Sequence, residues 1–176
     1  LVANLPYNVA TPIVVESPVD SVWSKGPIEF CAKLTQIDRE AGILSQDWEY
    51  RLPTETEWEY ACRAGTSSAT YGPLDSIAWH LGNSEDRPHP VGQKSPNPWG
   101  FYDMLGNVWE FCSTRFGPYP KDAVTDPTAG DPKRGFAVRG GGWSNVAADV
   151  RCASRNADPP HFGHSNLGFR VAVLIK

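Results

Sequence analysis

The sequence has no apolar run long enough to cross a bilayer and no cluster of basic residues. Its net charge of −4 gives no electrostatic reason to expect a nucleic acid partner. None of its four cysteines forms a CxxC pair, which excludes a zinc ribbon or finger. The chain begins at Leu1 and not at methionine, so the lack of a signal peptide leaves the compartment open.

Turn-forming and aromatic residues are abundant. The 176 residues include sixteen glycines, sixteen prolines and seven tryptophans. Many aromatic side chains separated by turn-forming glycines and prolines favour a fold of loops and short strands over a helical bundle. An apolar content of 40% with 20% charged residues is ordinary for one globular domain of this length. We therefore expect a single α+β domain with little regular secondary structure.

Two segments carry signals for helices. Ser24 and Pro27 suit a helix start, and the segment is expected to end at Gly42. The apolar residues of this first segment fall at helical spacing, namely Phe30, Leu34 and Ile37. In the second segment, Thr54 and Glu57 form a capping box, and Gly65 is a terminator. Its predicted inward face carries Trp58, Ala61 and Cys62.

Strands are predicted at both ends of the chain. Residues 1–16 read as a strand, a polar turn and a second strand, because β-branched residues are frequent there. Two further strands are expected at Phe136–Arg139 and Phe169–Leu174. Residues 66–135 read as nearly all loop, and loops of this length are uncommon unless they are functional or held by ions.

Four segments together resemble the formylglycine-generating enzyme, or sulfatase-modifying factor, family. They are RLPTETEWEYACRAG (51–65), HPVGQKSPNPWGFYDMLGNVWEFC (89–112), VRGGGW (138–143) and NLGFRVA (166–172). The resemblance implies an α+β fold related to C-type lectins, with aromatic-rich loops held by calcium. It covers residues 17–176, so residues 1–16 form an atypical N-terminal segment and the domain is expected to be N-terminally truncated.

Active members of the family oxidise a sulfatase cysteine to formylglycine with oxygen and copper. Two closely spaced cysteines shortly after a Gly-Gly-Ser hold the metal as Cu(I), a soft ion that thiolates bind well. Here Gly140, Gly141 and Gly142 precede Trp143 and SNVAADVR, and the next cysteine is Cys152, which matches a structural cysteine of the family. We therefore expect no copper and no oxidase activity.

The resemblance also implies a structural calcium site. It matches Asp103 and Glu110 as carboxylate ligands, Gly106 and Val108 as carbonyl ligands, and Asn83 as a ligand of a second site. Calcium is a hard cation that prefers such oxygen atoms. The alternative is that Asp103 caps a turn and Glu110 is solvated.

The peptide pocket of relatives is matched by five residues of this chain: Trp109, Gly142, Trp143, Arg155 and Asn166. The guanidinium of Arg155 could hold a carboxylate or a peptide carbonyl, and the two tryptophans could form flat walls. Alternatively, both tryptophans belong to the core and Arg155 pairs with an internal carboxylate. Cys62 and Cys152 match a pair that is disulfide-bonded in some relatives, or they are two thiols packed side by side.

One short motif has a different resemblance. Asn4, Leu5, Pro6 and Tyr7 resemble the substrate-base motif of ribosomal RNA adenine dimethyltransferases. Such an enzyme also needs a sheet and a glycine-rich loop for S-adenosylmethionine, which this chain does not provide.

Three functions are consistent with the sequence. The first is a non-oxidase, calcium-stabilised binding or accessory module with a peptide or protein ligand. The second is a divergent or degraded formylglycine-generating oxidoreductase that acts on a sulfatase cysteine. The third is a fragment joined to a piece of an RNA methyltransferase.

Overall fold

The computed structural model describes residues 26–119, 131–158 and 165–175. The predictions for residues 1–16, including the Asn4–Tyr7 motif, lie outside these ranges. The helices are α1 (Gly26–Glu40), α2 (Glu55–Arg63) and α3 (Leu74–Ile77). The strands are β1 (Trp48–Arg51), β2 (Trp109–Arg115), β3 (Phe136–Arg139), β4 (Arg155–Asp158), β5 (Leu167–Phe169) and β6 (Ala172–Ile175). Two 3₁₀ turns lie at Pro132–Arg134 and Ala147–Asp149.

The described strands form two small sheets. The larger sheet has the order β4-β3-β2-β5, in which only the β2–β5 pair is parallel. The smaller sheet is the antiparallel pair of β1 and β6. No described helix is long and apolar enough to span a membrane. The expected α+β architecture with little regular structure is confirmed.

Local signals predicted α2 and β3 well. Thr54 accepts a hydrogen bond from the N–H of Glu57, whose carboxylate accepts one from the N–H of Thr54, so the capping box is present. The residue that caps the end of this helix is Ala64 in a left-handed conformation, one residue before the expected glycine. The predicted strand Phe136–Arg139 is β3. Trp58, Ala61 and Cys62 all face the core, as expected.

Two predictions about strands were wrong. The segment expected to be loop contains β2, one of the two inner strands of the larger sheet. Most residues of β2 are buried, so the strand lacks the alternation that marks a half-exposed strand. The single strand expected at Phe169–Leu174 is interrupted at Arg170 and Val171, so β5 and β6 join different sheets.

The core consists of two apolar clusters. One lies under α2 and contains Trp58, Cys62, Met104, Leu105, Cys112, Val150 and Cys152. The other lies between α1 and the larger sheet and contains Cys31, Leu52, Trp109, Phe111, Val138, Leu167 and Val171. Helix α1 buries Pro27, Cys31 and Thr35, whereas Phe30 and Ile37 of its predicted apolar stripe are exposed.

Two asparagine side chains organise the long loops. Asn97 accepts hydrogen bonds from the N–H groups of Trp99 and Phe101 and donates to the carbonyls of Ala61 and Cys62 in the last turn of α2. These carbonyls have no partner within the helix. The amide of Asn97 therefore pairs with the free carbonyls of α2 and with the N–H groups of its own loop.

Asn107 joins three loop segments at a nearly solvent-free position. Its side chain accepts from the N–H of His89 at 2.9 Å and donates to the carbonyl of the same residue at 2.9 Å. Its N–H donates to the carbonyl of Trp79, and its carbonyl accepts from the N–H of Trp143. The preceding Gly106 must lack a side chain, because a Cβ there would lie 2.2 Å from the carbonyl oxygen of Trp79.

We expect Asn107→Asp to destabilise the domain by about 2–4 kcal/mol, because it leaves the His89 carbonyl unpaired and buries a charge. The control is Asn156→Asp, which makes the same change on an exposed side chain and is expected to cost less than about 0.5 kcal/mol. Urea unfolding of both variants measures the difference. Equal midpoints would show that Asn107 does not hold the loops.

Candidate binding site

The turn after β3 meets the starts of β2 and β5 at one point of the surface. The N–H of Trp109 donates to the carbonyl of Asn166 at 2.7 Å, and the N–H of Trp143 donates to the carbonyl of Asn107 at 2.7 Å. Gly142 lies close to both Trp109 and Asn166, because a Cβ on it would approach Trp109 to 3.3 Å and the carbonyl of Asn166 to 3.4 Å. The structure thus brings together four of the five predicted pocket residues.

Asn145 lies at the centre of this arrangement, and the sequence did not single it out. Its side-chain oxygen accepts hydrogen bonds from the indole N–H of Trp109 at 2.8 Å and from the N–H of Gly142 at 3.0 Å. Its carbonyl accepts from the N–H of Leu81, which attaches the neighbouring loop. A small polar residue two positions after Trp143, in a glycine-rich turn, was the available signal.

The residues of the site differ in exposure. Trp109 is only 9% exposed, so its ring supports the site from below and offers little surface to a ligand. Trp143 and Asn166 are half-buried, and Leu81 and Val146 are exposed next to them. The side chain of Asn166 donates to the hydroxyl of Ser144 at 3.1 Å. The accessible surface is therefore an indole and an amide with an apolar rim.

The fifth predicted residue, Arg155, forms an internal ion pair. Its Nε and Nη2 donate to the two carboxylate oxygens of Glu55, each at 2.6 Å. Its Nη1 donates to the carbonyl of Gly117 at 2.9 Å, and its guanidinium stacks against the rings of Phe116 and Tyr119. This geometry corresponds to the internal-carboxylate alternative.

Asp103 has one free carboxylate oxygen in the predicted calcium loop. Oδ2 accepts from the N–H of Gly92 at 2.7 Å, while Oδ1 is buried without a hydrogen-bond partner. Burial raises the pKa of this carboxyl, against the lowering effects of the Gly92 hydrogen bond and of Arg170. An orphaned buried carboxylate oxygen fits a cation ligand.

The other predicted side-chain ligands are already engaged. Glu110 accepts from Nε and Nη2 of Arg170 at 2.5 and 2.6 Å and from the indole N–H of Trp58 at 2.6 Å. Asn83 accepts from the N–H of His80 and donates to the carbonyl of Ala78. Within the described ranges, no three acidic, histidine or cysteine side chains are grouped as a metal site. The fit to calcium therefore rests on Asp103, and a cation would have to share Glu110 with Arg170.

The four cysteines are free buried thiols, so of the two alternatives for Cys62 and Cys152 the disulfide bridge is not formed. The interaction with Cys62 lowers the pKa of Cys152, whereas burial raises that of Cys62. Burial also raises the pKa of Cys31 to about 11. The pair is accommodated as two thiols packed side by side in the core.

Comparison with known proteins gives consistent results. Residues 8–175 match the family described as Sulfatase-modifying factor enzyme 1-like domain. The chain is 37% identical over 132 residues to serine/threonine-protein kinase pkn1 of Chlamydia caviae, a match that covers 72% of this chain and 21% of that protein. It is 33% identical over 144 residues to the formylglycine-generating enzyme of Streptomyces coelicolor, with 69% and 46% covered.

A solved structure shares the fold. Treponema denticola variable protein 1 superimposes with a TM-score of 0.78 at 29% identity, over 94% of this chain and 75% of that one. The chain spans about one fifth of the length of the kinase it matches and under half of that of the formylglycine-generating enzyme. With the family match over nearly its whole length, this chain belongs to the sulfatase-modifying factor family.

Proposed function

We propose that this domain is a non-oxidase binding or accessory module whose ligand is a peptide or protein. The observation that carries the proposal is the position of Asn145. Its side-chain amide occupies the turn after Gly142, where it pairs with Trp109 and with the main chain. A thiolate pair in this turn is what the copper chemistry of the family requires, because Cu(I) is soft and prefers sulfur ligands.

The locations of the thiols support the same proposal. Cys62 on the buried face of α2 belongs to the same core cluster as Cys152, Cys31 lies on the buried face of α1, and Cys112 is fully buried in β2. None of the four thiols belongs to the turn that carries Trp143, which supports the proposal that the domain does not bind copper there.

The relatives support a role as a module. Similar domains make up about one fifth of a protein named as a kinase and nearly half of one named as a formylglycine-generating enzyme. A domain that occurs in proteins with different names is better described by what it binds than by one reaction. Trp143 and Asn166 offer a half-exposed ring and an amide to such a ligand.

An enzyme of the same family is the second candidate, and the 33% identity to a formylglycine-generating enzyme favours it. That function requires a cysteine peptide as substrate and groups other than paired thiolates in the site. The two candidates therefore differ in whether the peptide is changed or only bound.

We expect no formylglycine when the purified domain is incubated with a sulfatase-derived cysteine peptide, oxygen and Cu(I). The reason is that the soft ion lacks its sulfur ligands. Mass spectrometry of the peptide measures the aldehyde, and the Streptomyces coelicolor enzyme is the positive control. Aldehyde formation that is lost after copper removal would establish the enzyme candidate instead.

Calcium is proposed as a structural cation of the same domain, held at the Asp103 loop. The carboxylate of Asp103 supplies one oxygen, and the carbonyls of Gly106 and Val108 are its proposed companions. A bound cation would neutralise a carboxylate that burial disfavours, so its main effect would be on stability.

Calcium at a hundred times its dissociation constant should stabilise the domain by about 2.7 kcal/mol, which corresponds to about 5–10 °C in Tm. Because the pKa of Asp103 is raised in the folded state, its contribution to stability is present at acid pH and lost as the pH rises through that pKa. The shift caused by calcium should therefore grow with pH. Scanning calorimetry with calcium or a chelator measures it.

The matched variants are Asp103→Asn, which should reduce the calcium response, and Asp47→Asn, which removes the same charge from an exposed side chain and should not. A melting temperature that is the same in calcium and in chelator would disprove this site.

A further inference from the structure

A groove of about 480 Å³ lies between α1 and β1, and neither Trp143 nor Asp103 is among the residues that line it. Small-molecule sites commonly have volumes of about 300–1,000 Å³. Ile28, Ala32 and Leu52 supply apolar surface, and Ile28 is 49% exposed. The volume and the apolar walls suit a small organic ligand.

Side chains of α1 occupy the hydrogen-bonding groups of the β1 edge along this groove. The N–H of Tyr50 donates to the hydroxyl of Thr35 at 2.8 Å, and Nη2 of Arg39 donates to the carbonyl of Trp48 at 2.5 Å. The Thr35 hydroxyl itself donates to the carbonyl of Cys31. Addition of a further strand here would have to displace these contacts, so the groove is better suited to a ligand recognised by side chains.

Arg39 has donors to spare. Its Nε is buried without a hydrogen-bond acceptor, and its one hydrogen bond to a described residue is that to Trp48. None of the described carboxylates lies within ion-pair distance of it, including Glu49, which also lines the groove. By contrast, Arg51 in the same groove is paired with Glu57 at 2.6 Å.

We propose that the α1–β1 groove binds a small organic acid, with its apolar body against Ile28, Ala32 and Leu52 and its carboxylate on Arg39. A guanidinium with unused donors is complementary to a carboxylate in both charge and geometry. Among the described residues Arg39 has no counter-ion, and a partly buried cation of this kind gains more from such a ligand than a solvated one, because the pair forms in a lower dielectric. The site is independent of the proposed peptide-binding function.

The test uses 4-phenylbutyrate and its neutral amide as probes on the whole chain. Amide shifts in ¹⁵N NMR spectra measure binding and location, and we expect the shifts to concentrate at Thr35, Arg39 and Tyr50. The acid should bind at least tenfold more tightly than the amide. Equal affinities, shifts centred elsewhere, or no binding at millimolar concentration would each overturn the proposal.

Two variants test the two halves of the site. Arg39→Gln should reduce affinity for the acid to that for the amide, and Ala32→Phe should block both probes by filling the groove. The controls are Arg87→Gln, on an exposed arginine elsewhere, and Lys33→Phe, which adds the same ring to an α1 position that does not line the groove. Both controls should bind as the unchanged chain does. Loss of binding in the controls, or its retention in Arg39→Gln, would disprove the assignment.

Discussion

The fold depends on satisfying backbone polar groups where there is no helix or strand to do so. Each buried N–H and C=O needs a partner, and the chain between α2 and β2 has few regular elements to provide one. The side-chain amides of Asn97 and Asn107 take this role because each has both a donor and an acceptor. Asn107 in particular pairs with both backbone groups of His89 at once.

Buried guanidinium groups complete this arrangement by linking segments far apart in sequence. Arg139 is fully buried and donates to the carbonyls of Ser154 and Cys152 and to the carboxylate of Glu59. Arg170 makes the equivalent link to Glu110 in β2. Removing one member would leave an unpaired buried charge, which costs far more than an exposed ion pair contributes. The main role of Glu59 in α2 and Glu110 in β2 is therefore to stabilise the fold.

The sequence predicted those parts of the fold and site that local chemistry determines. The capping box of α2 needs only Thr54 and Glu57, three residues apart, and the strand β3 is a short β-rich run before glycines. The pairing of Arg155 with Glu55 joins residues a hundred positions apart, so no local pattern indicates it. The role of Asn145 had only a weak local signal, because a lone asparagine in a turn is usually a turn residue.

Main-chain and side-chain hydrogen bonds both contribute to the site around Trp109 and Trp143. The contacts that hold the site come mainly from the main chain, as between Trp109 and Asn166 and between Trp143 and Asn107. Main-chain contacts tolerate a change of side chain at the surface, so the hydrogen bonds from the N–H groups of Trp109 and Trp143 do not depend on the side chain at position 145. Binding of a soft metal ion depends on side chains alone, so it can differ between proteins that share the same main-chain scaffold.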